Sequence, residues 1–432
     1  MERVDGSAGE PVAARAIRPR GPLDARVRVP GSRSLTNRAL VCAALADGRS
    51  RLAGATESDD TAAMREGLRA LGVAIEVAGD AWSVAGCAGR FPARDARVDA
   101  RASGTTARFL TAAATLAAGP TLVDGTARMR ERPIADLAAA LRALGAEVEL
   151  LGRDGCPPVR VAGGGLPGGR ATIDARRSSQ YVSGVLLAAP CAASDVELAL
   201  LDGRLVSRPF VDLTLQVMGE FGADAGWTDA GGLRVARGGY TGRRYAIEPD
   251  AQAAVYAFAA AAITGGRVVV EGLGSASRQP DLAILEVFER MGCRVRREAH
   301  AIELSAEPGA LAGVVCDGDP MPDAVLALAV VALFAKGPTE IRNVANLRIK
   351  ETDRLAALET ELRRLGGRAE AGPDWLRVEP GPLHGAAIET YADHRMAMSF
   401  ALAGLALPGV SIRDPGCVAK TWPDFFAALE SW

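Results

Sequence analysis

Five times along the chain, a helical stretch ending apolar-x-x-apolar-Gly runs into alternating apolar and polar residues. The first is Leu68-Arg-Ala-Leu-Gly-Val-Ala-Ile-Glu-Val77, and the pattern returns at 141–150, 218–227, 288–297 and 362–371. A glycine there suits the left-handed stop of a helix, and the alternation predicts a half-buried strand. The markers Gly72, Gly145, Gly222, Gly292 and Gly366 lie roughly 70–77 residues apart, a period that implies internal duplication. Residues 424–432 begin a sixth copy.

Each of these helices is preceded by a turn and a polar or basic loop, at 55–64, 124–137, 202–213, 271–282, 343–355 and 414–425. A second kind of helix, made of small residues, starts near Ser32, Ser103, Ser178, Asp250, Asp323 and Asp393. Bodies such as 107–118 and 325–335 are apolar nearly all round, which predicts burial. The chain therefore reads as six α/β units, three per domain. Gly238-Gly-Tyr-Thr-Gly-Arg-Arg244 is a turn-rich boundary. We assign 30–247 to the first domain and 1–29 with 248–432 to the second; the strand pattern at 25–29 fits either half.

Composition narrows the class. The 432 residues are 49% hydrophobic with a net charge of −2, which excludes a general nucleic-acid binder and makes any basic loop a local feature. Seven cysteines without a C-x-x-C pair fit a reducing cytoplasm and argue against a disulfide scaffold or a zinc site. Glu2, Arg3, Asp5 and Glu10 interrupt the start, so no secretory signal is expected. The longest apolar run, 324–335, is too short to span a bilayer.

The densest chemistry lies in Asn346-Leu-Arg-Ile-Lys-Glu-Thr-Asp-Arg354, on a loop and the first turn of a helix. Free backbone N–H groups and the helix dipole favour anions there, added cations suit phosphate or carboxylate, and a carboxylate among them can carry a proton. If equivalent helices of each half stack in parallel, their starts converge on one cleft. The first half then supplies Ser32, Arg33, Ser34, Arg38, Arg128, Ser178, Ser179, Gln180 and Ser207. The second supplies Asp323, Lys350, Glu351, Arg354, His394, Arg395 and Lys420. Taken singly, Ser32, Ser103, Ser178 and Asp323 read equally as N-caps, Arg128, Arg130 and Arg132 as a solvated loop, and His394 as a structural histidine. Recurrence at one repeat position favours a site for two multiply charged anions with an acid–base pair between them.

Pro30-Gly-Ser-Arg-Ser-Leu-Thr-Asn-Arg38, Ser103-Gly-Thr-Thr-Ala-Arg108, Arg128-Met-Arg-Glu-Arg-Pro-Ile134, Ser178-Ser-Gln180, 346–355, Asp393-His-Arg-Met-Ala-Met398 and Lys420 together resemble the enolpyruvyl transferase family. The resemblance spans about 22–432. It implies an inverse α/β barrel of two domains, each of three repeated α/β units, that closes on phosphoenolpyruvate and shikimate 3-phosphate. It implies no cofactor, no metal, no nucleic-acid or membrane partner, and a cytoplasmic monomer.

Carried over by motif, Ser34 and Arg38 would hold the shikimate carboxylate. Ser178, Ser179, Ser207 and Lys350 would hold its phosphate, and Asp323 and Asn346 the ring hydroxyls. Arg354 and Arg395 would grip the phosphoenolpyruvate carboxylate, while Arg33, Arg128, Gln180, Lys420 and the Gly104 backbone surround its phosphate. Asp323 would be the base and Glu351 the acid, with Arg33 and His394 completing the catalytic set. The family usually has lysine at Arg33, often asparagine at Ala102, and tyrosine at Phe210. Ala102 is expected to make room beside Arg33, whose planar guanidinium is not a lysine substitute. These departures also admit a different cyclic or sugar alcohol as acceptor.

Overall fold

The structure, a computed structural model, describes residues 14–432; Glu2, Arg3, Asp5 and Glu10, and the first thirteen residues of the second-domain assignment, lie outside the described residues. Two kinds of helix alternate along the chain. They are α1 (Arg33–Leu45), α2 (Asp59–Ala70), α3 (Gly104–Ala113), α4 (Ala135–Ala143), α5 (Ser179–Ala188) and α6 (Pro209–Glu220) in the first half. The second half repeats the order with α7 (Ala251–Thr264), α8 (Ile284–Arg290), α9 (Val325–Ala332), α10 (Arg354–Arg364), α11 (His394–Ala403) and α12 (Phe425–Ser431). The odd-numbered helices are buried on nearly every face; every residue of α9 and all but Thr264 of α7 are inside. Even-numbered helices such as α2 and α10 keep a polar outer face. All five marker glycines have φ between 89° and 106°, a region closed to most side chains, and each ends an even-numbered helix.

Each even helix from α2 to α10 leads into two short antiparallel strands of a small mixed sheet. In the second unit, for example, Ala96–Asp99 pairs in parallel with Thr121–Asp124, which pairs antiparallel with Val159–Val161 and that with Val148–Leu150. The same order recurs four more times. Two of these sheets borrow a strand from across the sequence: Arg244–Ala246 completes the first unit, and Asp24–Val27 pairs with Arg267–Val270 of the fourth. Ala14–Ala16 pairs with Ser411–Arg413 of the sixth. The 24–27 strand, which fitted either half by pattern, thus pairs within the second.

Two separate apolar cores follow. One gathers side chains from Leu35 to Ile247, the other from Ile17 to Val29 and Ala251 to Leu429. The chain crosses between them twice, and the crossings run side by side: Ser32 N donates to Glu248 O and Asp250 N to Pro30 O, both at 2.8 Å. Gly31 is obligatory there, because a Cβ would stand 1.8 Å from the Gly54 carbonyl oxygen.

Candidate active site

The odd-numbered helices aim their N-termini at the space between the halves. Ser32, Ser103 and Ser178 cap α1, α3 and α5, and Asp250 and Asp393 cap α7 and α11. Asp323 breaks this rule. α9 begins two residues later, after Ala324, with no side-chain cap. The Asp323 carboxylate is therefore free to enter the site, where it meets Arg354 and Arg395, each at 3.0 Å.

Sixteen of the seventeen candidates carried over by motif line one cavity: Arg33, Ser34, Arg38, Gly104, Ser178, Ser179, Gln180, Ser207, Asp323, Asn346, Lys350, Glu351, Arg354, His394, Arg395 and Lys420. Arg128 does not. Its guanidinium turns to the rim, donating to the Lys350 and Glu351 carbonyls at 2.9 and 3.0 Å and so bridging the two halves. The short turn Met129–Glu131 rotates the loop so that Arg132 is the arginine that faces inward.

Asp60, Arg177 and Thr105 also line the cavity and were not singled out from sequence. Asp59 and Asp60 open α2 together, and only Asp60 is buried; nothing in the residue types distinguishes them. Arg33 sends its guanidinium to Asp60 (2.5 Å) and to Gln252, rather than toward Ala102, whose carbonyl accepts from Arg132 at 3.3 Å. The guanidinium beside Ala102 is thus that of Arg132, not of Arg33.

Charge is the organising quantity. Eight cations face the cavity (Arg33, Arg38, Arg132, Arg177, Lys350, Arg354, Arg395 and Lys420) against three acids, Asp60, Asp323 and Glu351. Arg354, 1% exposed, is held by Asp393 at 2.8 Å, Glu351 at 2.8 Å and Asp323 at 3.0 Å. Burial alone would weaken its charge; Asp393, Glu351 and Asp323 reverse that and raise its pKa well above the usual value. Burial likewise opposes ionisation of Asp323, but Arg395, Lys350 and Arg354 pull it well below the carboxylate range. Glu351 is pulled down by Arg354, Lys420 and Arg132 against the same desolvation. Desolvation, then Lys420 and Arg395, hold His394 well below its ordinary value, so the imidazole is neutral, with both nitrogens unpartnered. The Lys350 ammonium is desolvated too, its pKa lowered, with no carboxylate at ion-pair distance among the described residues.

Several contacts join the halves across the cavity: Lys420 to Asp60 at 2.9 Å, Asn346 to the Ser207 hydroxyl at 3.3 Å, and Arg33 to Gln252. Gly104 has no room for a side chain in the cavity wall. A Cβ there would lie 2.8 Å from the Arg132 guanidinium, 3.0 Å from that of Arg108 and 3.1 Å from the Gln180 amide. Among the described residues, no group of three or more His, Cys, Asp or Glu side chains could hold a metal ion, and no helix is long and apolar enough to cross a membrane.

Six repeated units in two halves, closing on a cation-rich cavity, define the enolpyruvyl transferase architecture. A solved enolpyruvyl transferase from Streptomyces tendae, 22% identical, matches the fold with a TM-score of 0.78 over 98% of both chains. The chain belongs to the EPSP synthase (3-phosphoshikimate 1-carboxyvinyltransferase) family, whose model matches residues 17–429. A 3-phosphoshikimate 1-carboxyvinyltransferase of Methanoculleus marisnigri is 46% identical over 95% of this chain and 97% of its own. The chloroplastic enzyme of Brassica napus is 43% identical over 98% and 86%. The EPSP synthase structure from Acinetobacter baumannii superposes with a TM-score of 0.79 at 27% identity, covering 97% and 98% of the two chains.

Proposed function

We propose the following division of labour for the reaction of this family. The chain transfers the carboxyvinyl group of phosphoenolpyruvate to the 5-hydroxyl of shikimate 3-phosphate and releases phosphate by addition and elimination. Ser178, Ser179, Ser207 and Lys350 take the acceptor's phosphate; Lys350, a desolvated ammonium with no carboxylate at ion-pair distance among the described residues, is suited to an outside anion. Ser34 and Arg38 take its carboxylate, and Asp323 and Asn346 its ring hydroxyls. Arg354 and Arg395 hold the carboxylate of phosphoenolpyruvate. Its phosphate lies among Arg33, Gln180, Lys420 and the Gly104 backbone, with Arg128 latching the rim and Arg132 facing inward.

In the addition step, the acceptor oxygen bonds to C2 of phosphoenolpyruvate, its proton goes to Asp323, and the methylene carbon takes a proton from Glu351. In the elimination step, the new methyl group returns its proton to Glu351 and the C2–O bond to phosphate breaks, restoring the double bond, while the leaving phosphate takes up the proton held by Asp323. Asp323, held ionised, is suited to the base role. Glu351 becomes an acid when ligand carboxylate and phosphate draw Arg354 and Lys420 away from it, so that it takes up a proton from water before the addition step. Neutral His394 beside them can accept or donate one hydrogen bond to the same groups. The two cores support domains of 30–247 and 14–29 with 248–432 that close on the substrates. Exposed large apolar side chains (Val77, Leu151, Leu201, Val315 and Tyr391) are scattered over separate elements, which supports a monomer.

The observation that carries the assignment is the cavity with its excess of cations and the pair Asp323 and Glu351. Phosphate release from phosphoenolpyruvate should require shikimate 3-phosphate, and the product should be heavier than the acceptor by one carboxyvinyl group. Release independent of the acceptor, or no release, would overturn it.

A further inference from the structure

Gln252 is the second residue of α7 and lies outside the cavity wall, 5% exposed. Its Oε1 accepts from two guanidiniums at once, Arg395 of the second half at 2.5 Å and Arg33 of the first half. Its Nε2 donates to Asp323 Oδ2 at 3.1 Å, and the buried Asp281 carboxyl faces the same amide. The orientation of the amide is thereby fixed, since a flip would set its NH2 against two cations and its oxygen against two carboxyls. The capping bond from Gln252 N to Asp250 Oδ1, 3.0 Å, fixes the backbone beneath it.

We propose that Gln252 is the positioning residue of this active site: one amide oxygen sets the Arg33 and Arg395 guanidiniums at a common point, and the arginine at position 33 depends on it. The argument is geometric. Two like charges on opposite walls converge on one neutral acceptor, which lowers their repulsion and fixes each plane before a ligand arrives. Asp60 occupies the other side of the Arg33 guanidinium, so Asp60 and Gln252 hold it as a fork between two stops. A lysine at position 33 would carry a compact ammonium with rotatable donors and would need no such second stop.

This inference rests on the proposed function, and one set of proteins tests both. Gln252→Met keeps the volume and removes the acceptor; it should lower kcat/KM for phosphoenolpyruvate by roughly ten- to a hundredfold, as expected for a misplaced binding group. The same change made together with Arg33→Lys should cost at least threefold less than it does in the parent. Gln252→Glu keeps an acceptor oxygen for both guanidiniums but sets negative charge against Asp323, so it should leave KM within about threefold while kcat falls about tenfold. A purely structural role would instead lower melting temperature and move kcat/KM by the same factor in both backgrounds. Equal factors, within twofold, overturn the positioning role. Failure of the parent to release phosphate with shikimate 3-phosphate overturns the functional reading as well.

Discussion

The two walls of the cavity are built from the same repeat yet carry different electrostatics. On the first wall, the buried helices are capped by Ser32, Ser103 and Ser178, neutral hydroxyls that leave the helix dipoles uncompensated, and of that wall's cations facing the cavity Arg33 alone is paired among the described residues, with Asp60. On the second, Asp250 and Asp393 cap two helices, Asp323 is released into the cavity, and Arg354 is tied to three carboxylates. The first wall is suited to receive anions. The second is largely paired internally, Lys350 excepted, and in the proposed function it holds the groups that move protons. One backbone plan thus supports two chemistries by changing serine to aspartate at the helix start.

The largest effect should come from the second wall's acids. Asp323→Asn and Glu351→Gln should each lower kcat by two to four orders of magnitude with KM nearly unchanged, as for lost acid–base groups. Steady-state kinetics with both substrates would show it, and turnover within a few-fold of the parent would remove that residue from the proton path.

Buried arginines sharpen the contrast next. Arg354→Met strands three carboxylates and should cost about 3–5 kcal/mol of unfolding free energy. Arg38→Met on the first wall removes bonds only to neutral acceptors, the Thr214 hydroxyl and the Ser34 and Phe210 carbonyls, and should cost about 1–3 kcal/mol. Denaturant titration of the pair tests the ordering; equal losses would contradict it.

A third comparison is of sign. His394 stays neutral when folded but takes a proton below about pH 6.5 when unfolded, so the unfolded state binds more protons and stability falls by about 1.4 kcal/mol per unit as pH drops from there. Asp281 acts oppositely. Burial, then Asp323, push its carboxyl up to about 7, so between roughly pH 4 and 7 the folded state holds a proton the unfolded chain has lost. Lowering pH through that window therefore gains stability from Asp281. Comparing unfolding free energies at pH 5 and 7, His394→Gln should reduce the acid sensitivity and Asp281→Asn should increase it.

The smallest effect concerns the turn before α11. Tyr391 and Ala392 have φ of 55° and 53°, held by Glu361, which accepts from the Tyr391 hydroxyl at 2.7 Å and the Glu389 amide at 3.2 Å. Exposed Ala392 gains nothing from its methyl group there, so Ala392→Asn should stabilise the fold by about 0.5–1 kcal/mol. A lower melting temperature would refute this.

The periodic features were legible because they rest on local rules: a left-handed glycine, an alternation, a capping residue. Cavity residues were legible where they sit at a recurring helix start. Legibility failed where a single turn decides direction. Arg128, Arg130 and Arg132 are two residues apart on one loop, and only the turn Met129–Glu131 selects Arg132 for the interior. Asp323 looks like a cap until α9 is seen to begin after it. Gln252 sits among alanines in a helix whose interest seemed to end at its cap, and its role comes from residues 71 to 219 positions away in the chain, brought together only by the meeting of the halves.

The paired crossings at 30–32 and 248–250 have a consequence for speed. Backbone meets backbone at Gly31 and Gly54 with no side chain between, and two hydrogen bonds join the strands into one ribbon. Such a ribbon resists sliding but yields to torsion, so the halves have essentially one direction in which to part. In the proposed function, each product would leave through that motion, on the microsecond-to-millisecond scale typical of domain opening. On that reading, the clock of the enzyme would be set in part by a glycine outside the proposed substrate contacts.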